Sequence, residues 1–236
     1  MAVNNEIGSI QPIQAISELL ADKPTISFHV DAVQALAKIP TEKYLTERVD
    51  FATFSGHKFH GVRGVGFVYI KSGKKITPLL TGGGQERDYR STTENVAGIA
   101  ATAKALRLSM EKLNIFTSKT GQMKAVIRQA LLDYPDIFVF SDEEDFAPHI
   151  LTFGIKGVRG EVIVHAFEDY DIFISTTSAC SSKAGKPAGT LIAMGVDKDK
   201  AQSAVRLSLD LENDMSQVEQ FLTKLKLIYN QTRKVR

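Results

Sequence analysis

The first half of the chain alternates between short apolar runs and stretches with helical spacing. Apolar runs at 26–30, 49–54 and 67–70 predict strands. Apolar residues at helical spacing predict one helix over 8–21, before these runs, and a long helix over 94–113, after them. Strands that alternate with helices are typical of an α/β layered domain whose site lies at the carboxyl ends of the strands. The predicted fold class is therefore α/β.

The pattern changes after residue 113. The helical spacings there predict helices over 119–132, 160–170 and 216–229. The remaining apolar runs predict strands over 137–140, 150–153, 172–174 and 204–209. Strand pairs and helices without an internal repeat predict a small α+β domain. We therefore expect two domains, over 1–113 and 114–236.

One candidate for chemistry is a lysine that follows a predicted strand. Lys58 ends the run Ser55-Gly56-His57-Lys58, directly after the strand at 49–54 and before a glycine-rich turn. A lysine in an apolar setting can attack a carbonyl, because burial disfavours its charged form. A solvated lysine in a glycine-rich hairpin is the alternative.

A second predicted strand ends in a carboxylate. Asp31 follows the run at 26–30. A carboxylate and a lysine at strand ends suit pyridoxal phosphate, since the lysine can form the Schiff base and the carboxylate can keep the pyridine nitrogen protonated. Asp31 could instead be the N-cap of a short helix.

The composition limits the classes of protein that fit. Of the 236 residues, 43% are hydrophobic and 24% are charged, which suits a soluble globular protein. The net charge of +2 gives no electrostatic reason to expect nucleic acid or an anionic membrane as a partner. The amino terminus lacks the basic and apolar regions of a secretion signal, and no apolar run reaches the length of a membrane span. We therefore expect a cytoplasmic protein.

The chain has a single cysteine, Cys180. One cysteine excludes an intramolecular disulfide and argues against a cysteine-based metal cage, so we expect no metal site. By default a lone cysteine is an inert buried residue. Cys180 instead lies in a long polar run over 175–189 with Lys183 and Lys186, and nearby lysines favour the reactive thiolate. This setting favours a functional cysteine.

The same motifs, in this order, resemble the cysteine desulfurases, which belong to the class V aminotransferase group of fold-type I pyridoxal enzymes. The resemblance rests on Val-Asn-Asn-Glu-Ile-Gly at 3–8, His-Val-Asp-Ala-Val-Gln at 29–34, Ser-Gly-His-Lys at 55–58 and Thr-Thr-Ser-Ala-Cys-Ser-Ser at 176–182. It implies part of a large domain, with a mainly parallel sheet and helices, followed by a small carboxyl-terminal domain that carries the catalytic cysteine loop.

The resemblance also implies how the cofactor, pyridoxal phosphate, is bound. Lys58 would hold it covalently, and Asp31 would pair with its pyridinium nitrogen. Gln34 would donate to its phenolic oxygen. Ser55 and His57 would bind its phosphate.

Other implied roles concern the substrate and the partner subunit. Thr93, in the glycine-rich loop over 81–93, would reach the phosphate of the other subunit in a homodimer. Asn5 would lie near the phenolic oxygen of the cofactor and the substrate carboxylate. Arg206 would bind that carboxylate, and Cys180 would accept the sulfur.

The implied activity is the removal of sulfur from L-cysteine, which gives L-alanine and an enzyme persulfide. The persulfide would pass to a sulfur-acceptor protein in iron–sulfur cluster assembly or transfer-RNA thiolation. The alternatives are a selenocysteine or cysteine-sulfinate lyase of the same group and a catalytically silent dimerisation or docking module. The family's phosphate turn and ring-stacking histidine lie upstream of the motif with which this chain begins. We therefore expect a carboxyl-terminal portion that is incomplete for activity by itself.

Overall fold

The structure is a computed structural model that describes residues 1–141, 144–177 and 189–234. The chain divides into two compact units, one formed by 1–2 and 11–113 and the other by 3–10 and 114–236. These units differ from the expected domains only at residues 3–10. That segment packs with the second unit because hydroxyl groups there bind its carbonyls: Thr152 donates to the Glu6 oxygen at 2.6 Å, and Ser141 donates to the Ile7 oxygen at 2.6 Å.

The first unit is built on a three-stranded sheet with the order β1-β2-β3. Its elements are α1 (Ile13–Leu19), β1 (His29–Asp31), β2 (Phe51–Ser55), β3 (Gly66–Ile70) and α2 (Val96–Glu111), with 3-10 turns at Thr41–Lys43 and Gly56–Phe59. β1 and β2 are parallel, whereas β2 and β3 are antiparallel. The expected α/β class is confirmed, and within this chain the sheet is mixed rather than mainly parallel.

Local predictions differ from the structure at three places in this unit. The strand expected over 26–30 begins only at His29, in β1. The helix expected over 8–21 is limited to α1, because the Asn4 N–H donates to the Ser9 oxygen at 2.9 Å and closes a turn upstream of it. The short helix considered after Asp31 is replaced by consecutive turns over 33–38. Asp31 therefore caps no helix; its Oδ1 accepts the Val33 N–H at 3.0 Å.

The sheet of the first unit has one buried face near β1 and β2. Val30, Ala52 and Phe54 point into the core, and the Phe54 ring stacks on Phe67 with centroids 4.7 Å apart. Alternate residues of a strand point to opposite faces. The side chains of Asp31 and of Thr53, its neighbour on β2, therefore lie on the other, half-exposed face. The sheet therefore offers polar side chains on the face opposite its core.

A buried carboxylate fixes the amino ends of the parallel strands. Asp50 is 2% exposed, and it accepts hydrogen bonds from the Phe28 N–H at 2.8 Å, Arg48 Nη1 at 2.9 Å and Lys74 Nζ at 3.1 Å. Burial by itself would raise the pKa of Asp50, but the Phe28, Lys74 and Arg48 donors outweigh that effect and hold the pKa below its usual 3.8. Arg48 also donates to the carbonyls of Leu20, Lys23 and Ile26.

The second unit contains a four-stranded antiparallel sheet covered by helices. Its strands are β4 (Ile137–Val139), β5 (Ile150–Ile155), β6 (Ser175–Thr176) and β7 (Val205–Ser208), in the order β4-β5-β7-β6. Its helices are α3 (Leu113–Leu132), α4 (Gly160–Glu168), α5 (Gly189–Ala193), α6 (Lys198–Gln202) and α7 (Met215–Lys234). The strand expected over 172–174 lies instead at β6. This arrangement is the expected α+β type.

Helices α4 and α7 cover this sheet through aromatic packing. Phe167 of α4 stacks on Phe221 of α7 with ring centroids 4.9 Å apart, and Phe153 of β5 meets Phe221 edge-on at 6.2 Å. All three rings are buried, in a core with Leu151 and Leu225. Within the described ranges, no helix has both the length and the apolar character needed to cross a membrane.

We predict that Asp50→Asn lowers the free energy of unfolding by about 3 kcal/mol near pH 7, because it leaves Arg48 and Lys74 without their buried counter-charge. The pKa of Asp50 is depressed in the folded state, so its contribution is complete above about pH 4 and is lost as the pH falls through the folded pKa. Urea unfolding followed by circular dichroism at pH 7, 5, 4 and 3 measures this difference.

Asp22→Asn is the matched control, because Asp22 is exposed in the same unit. Its unfolding curves should follow the parent at every pH. A difference between Asp50→Asn and the parent that stays constant from pH 7 to pH 3 would contradict the assigned role of the Asp50 charge.

Candidate active site

Lys58 lies in a 3-10 turn at the carboxyl end of β2. The turn, Gly56–Phe59, begins directly after Ser55, the last residue of that strand. It is closed by hydrogen bonds from the Gly56 N–H to the Val65 oxygen and from the Gly61 N–H to the Gly56 oxygen, both at 2.9 Å. The side chain of Lys58 is half-buried, and the following Phe59 is anchored in the core. The predicted strand-end position of the lysine is therefore present in the fold.

Asp31 is the last residue of β1 and pairs with Thr53 of β2 in the parallel register. Parallel strands place their carboxyl ends at one edge of the sheet, so Asp31 and the turn that carries Lys58 lie at the same edge. Sequence reasoning missed two neighbours on this face. His29 and Thr53 share it with Asp31, and His29 Nε2 lies 3.2 Å from Thr53 Oγ1. The period-2 alternation of β1 could have revealed His29.

The other residues expected to bind the cofactor lie in the same unit, at different degrees of exposure. Gln34 follows Asp31 in the turns after β1 and is half-buried, as is Ser55 at the end of β2. His57 is exposed within the Lys58 turn. Thr93 is exposed in the loop that precedes α2. The structure thus brings Ser55, His57 and Lys58 together, whereas Thr93 belongs to a separate loop.

Asn5 and Arg206 are brought together in the second unit. The guanidinium of Arg206, on β7, donates through Nη1 to the backbone oxygen of Asn5 at 2.7 Å and through Nε to Ser208 Oγ at 3.2 Å. These bonds fix the plane of the guanidinium, which is the group suited to a forked interaction with a carboxylate. The residues with implied substrate roles are therefore neighbours although they are far apart in the sequence.

The segment that carries Asn5 also holds the start of α5. Thr190 donates its backbone N–H to Glu6 Oε2 at 2.9 Å, and Asn4 Nδ2 donates to Thr190 Oγ1 at 3.2 Å. Asn4 Oδ1 in turn accepts the N–H groups of Glu6 and Ile7, at 2.8 and 3.0 Å. The Asn-Asn-Glu run is thus a folded turn in which side chains bind backbone. Glu6 and Thr190 were not singled out from the sequence, because their contact joins distant positions.

Cys180 lies outside the described residues. Among the residues that are described, no group of three or more histidine, cysteine, aspartate or glutamate side chains is arranged to hold a metal ion.

The donor set of the first unit fits pyridoxal phosphate. The cofactor carries an aldehyde, a basic ring nitrogen and a dianionic phosphate. The sheet edge offers an amine at Lys58 for the aldehyde and a carboxylate at Asp31 for the ring nitrogen. The hydroxyl of Ser55 and the imidazole of His57 suit the phosphate. Lys58 would hold the aldehyde carbon, and Asp31 would hold the ring nitrogen.

The chain is similar to known proteins over its whole length. A NifS/IcsS protein homolog of Lactobacillus delbrueckii subsp. bulgaricus is 50% identical over all 236 residues, which span 61% of that protein. The cysteine desulfurase IscS of Clostridium botulinum is 37% identical over 238 aligned residues, which cover all of this chain and 59% of that protein. Class V aminotransferases and these cysteine desulfurase relatives depend on pyridoxal phosphate.

A solved structure described as a NifS-like protein superposes with a TM-score of 0.87 and 36% identity, covering 98% of this chain and 60% of its own. The chain thus spans 59–61% of the length of these similar proteins. The sequence profile of the family described as aminotransferase class-V matches residues 1–221. Because this match covers most of the chain, the chain belongs to the aminotransferase class-V family.

Proposed function

We propose that the protein is a pyridoxal-phosphate-dependent cysteine desulfurase. The observation that carries the proposal is the parallel pairing of β1 with β2, which places Asp31 and Lys58 at one edge of the sheet. The names of the relatives support the same reaction, since the matched Clostridium botulinum protein is a cysteine desulfurase. The substrate would be L-cysteine, and the products would be L-alanine and a persulfide on the protein.

The residues of the first unit would hold and polarise the cofactor. Pyridoxal phosphate supplies an electron sink when it is bound. The Lys58 amine would bind it covalently, and the Asp31 carboxylate would keep a proton on the ring nitrogen. Gln34 would donate to the phenolic oxygen. Ser55 and His57 would donate to the phosphate as charge-assisted hydrogen bonds.

The residues of the second unit would hold the amino-acid substrate. Arg206, oriented by the Asn5 oxygen, would fork onto the carboxylate of L-cysteine. The thiolate of Cys180 would attack the substrate sulfur, so that an S–S bond forms as the carbon–sulfur bond breaks. The electron pair of the broken bond stays with the substrate carbon, which takes up a proton to become the methyl group of alanine.

The partners follow from the same proposal. The protein would act as a homodimer in which the exposed Thr93 reaches the phosphate site of the other subunit. The persulfide would pass to a sulfur-acceptor protein of iron–sulfur cluster assembly or transfer-RNA thiolation. A cytoplasmic location is part of the proposal.

The test is release of alanine and sulfide from L-cysteine, with excess pyridoxal phosphate and a thiol reductant. It is made with the chain alone and with the chain co-expressed with the part of the Lactobacillus delbrueckii relative that lies outside the match. L-Selenocysteine and L-cysteine sulfinate are tested in parallel. Faster turnover of either would favour the related lyases. Cofactor binding without turnover of any substrate, in both preparations, would favour a catalytically silent docking module.

We predict that borohydride reduction of the cofactor-loaded protein places the pyridoxyl group on Lys58, as read by peptide mapping. Lys58→Ala should lose the bound-cofactor absorbance and at least about a hundredfold of the turnover, since Lys58 is the lysine in the described segment that joins β2 to β3. Lys75→Ala, which alters an exposed lysine of the same unit, is the control and should behave as the parent. Label on a different lysine would overturn the assignment.

We predict that Arg206→Ala raises KM for L-cysteine about 30-fold, because a hydrogen bond to a charged group is worth about 2 kcal/mol. Arg206→Lys should recover only part of this loss, because an ammonium cannot fork onto a carboxylate. The control is Arg159→Ala, which removes an exposed arginine of the same unit, paired with Glu161 at 3.5 Å. An unchanged KM in Arg206→Ala would contradict the role of Arg206 in substrate binding.

We predict that Cys180→Ala keeps the cofactor absorbance and loses persulfide formation, because the residues assigned to the cofactor do not include Cys180. Persulfide is measured by alkylation and mass spectrometry after one exposure to L-cysteine. Ser182→Ala, a change of similar size in the same run of sequence, should still form the persulfide. Sulfide release by Cys180→Ala at the parental rate would place the nucleophile elsewhere.

A further inference from the structure

Helix α2 packs through small residues on the 3-10 turn Gly56–Phe59, which carries Lys58 and is called the lysine turn below. Its amino end is capped by Asn95, whose Oδ1 accepts the Gly98 N–H at 3.0 Å. The buried positions of the helix are Gly98 and Thr102, whereas the larger Val96 and Ile99 are exposed. The side of α2 that packs against the rest of the unit therefore carries small residues, rather than the larger apolar residues whose spacing predicted the helix. A helix that buries small side chains can approach its neighbour closely.

The closest approach joins Thr102 to Gly56, the first residue of the lysine turn. A methyl group added to Gly56 would lie 2.9 Å from Thr102 Cγ2, 3.1 Å from Thr102 Oγ1 and 3.0 Å from the Val65 oxygen. The first distance is shorter than real carbon contacts and the other two are tighter than most, so a side chain at Gly56 would have to displace the turn or Thr102. The position of the turn is therefore limited by the shape of Thr102.

A second close approach joins Gly98 of α2 to Val65, which is hydrogen-bonded to the start of the lysine turn. A methyl group added to Gly98 would lie 2.8 Å from Val65 Cγ2. The Val65 oxygen in turn accepts the Gly56 N–H at 2.9 Å. Gly98, Val65 and Gly56 thus form a continuous chain of contacts from α2 to the start of the lysine turn.

A hydrogen bond holds the far end of the turn. Ser109, almost two helical turns after Thr102 on α2, donates its hydroxyl to the backbone oxygen of Phe59 at 3.2 Å. Phe59 is the residue directly after Lys58, and its side chain is 1% exposed. The backbone of Lys58 therefore lies between a steric contact at Gly56 and a hydrogen bond at Phe59, both made by α2.

We infer that α2 positions the Lys58 amine, with Thr102 and Ser109 as positioning residues that hold the lysine turn from behind. The inference rests on the proposed function in that the amine is the group that would bind pyridoxal phosphate. Neither Thr102 nor Ser109 is assigned a contact with cofactor or substrate. Each acts through the backbone on either side of Lys58.

The contribution of Thr102 comes from its shape. Its Oγ1 is buried and has no hydrogen-bond partner among the residues that the structure describes. A buried hydroxyl without a partner is unfavourable, so removing it at constant shape should not weaken the packing. Thr102→Val, which keeps the branched shape, should therefore preserve the position of Lys58, and Thr102→Leu should displace it.

The first experiment reads the Lys58 amine without the cofactor. Reductive methylation with [13C]formaldehyde gives each lysine an NMR resonance, and the Lys58 resonance is assigned by its loss in Lys58→Arg. Thr102→Leu and Ser109→Ala should shift or broaden the Lys58 resonance and leave the other lysine resonances unchanged. Thr102→Val keeps the branched shape and Ser109→Thr keeps the hydroxyl. In both variants the Lys58 resonance should stay at the parental position.

The control is Ala101→Leu, which adds comparable bulk at an exposed position of the same helix. It should leave the Lys58 resonance where it is in the parent. Urea unfolding identifies any variant that fails to fold, and Ser109→Ala, the smaller change, then decides the outcome. A folded Ser109→Ala protein with a parental Lys58 resonance would overturn the inference.

The second experiment measures how the cofactor attaches to Lys58 in the cofactor-loaded protein. The fraction of pyridoxyl label on Lys58 at a limiting cofactor concentration should fall about fivefold in Ser109→Ala, the factor that corresponds to one neutral hydrogen bond. The pH at which the bound-cofactor absorbance changes should move in the same variant and stay parental in Ala101→Leu. Parental values of both quantities in Ser109→Ala would count against the inference.

The two experiments separate this inference from the proposed function. If the parent protein takes no label at Lys58, the proposed function fails, and the NMR measurement still decides whether α2 positions the amine. If the parent takes the label and the Lys58 resonance is the same in Thr102→Leu and Ser109→Ala as in the parent, the proposed function stands and the positioning role is rejected.

Discussion

The buried carboxylate of Asp50 is the interaction on which the first unit depends. It lies just before β2, and it accepts the N–H of Phe28, just before β1, together with the charged groups of Arg48 and Lys74. The backbone oxygen of Asp50 also accepts the N–H of Lys71, just after β3. One residue therefore fixes the register of the strands at one end of the sheet. Asp31 and the Lys58 turn lie at the opposite ends of the parallel pair. Because the Asp50 network fixes the strand register, it also determines how these residues are placed relative to each other.

The residues with expected roles fall into sets that are held by different means. In the first unit the cofactor set follows from strand pairing, and its lysine is held from behind by α2. In the second unit Asn5 and Arg206 are joined because the segment 3–10 is bound to the sheet through hydroxyl groups and a guanidinium. Backbone carbonyls are the main acceptors in that second set. Substitutions of Asn5 that keep the backbone in place should therefore disturb Arg206 less than a change in the path of the segment.

Much of the fold could be predicted from local patterns. The strands at β1, β2 and β5, the long helices α2 and α7 and the change of character after residue 113 follow from periodicity, which reports which residues are buried in each element. The boundaries were less accurate where side chains bind backbone. The helix expected over 8–21 is short because the Asn4 turn uses its first residues, and the strand expected over 172–174 lies at β6, where it pairs with β7.

The sequence by itself determined the chemistry of the candidate site: a lysine and a carboxylate at strand ends, and motifs that identify the family. Their residue types and spacing are local properties of the chain. Tertiary structure alone decided that Arg206 binds the Asn5 oxygen, that Asp50 is a buried hub and that α2 packs through Gly98 and Thr102 rather than through its larger apolar residues. These features join positions that are distant along the chain, and periodicity carries no information about which distant residues will meet.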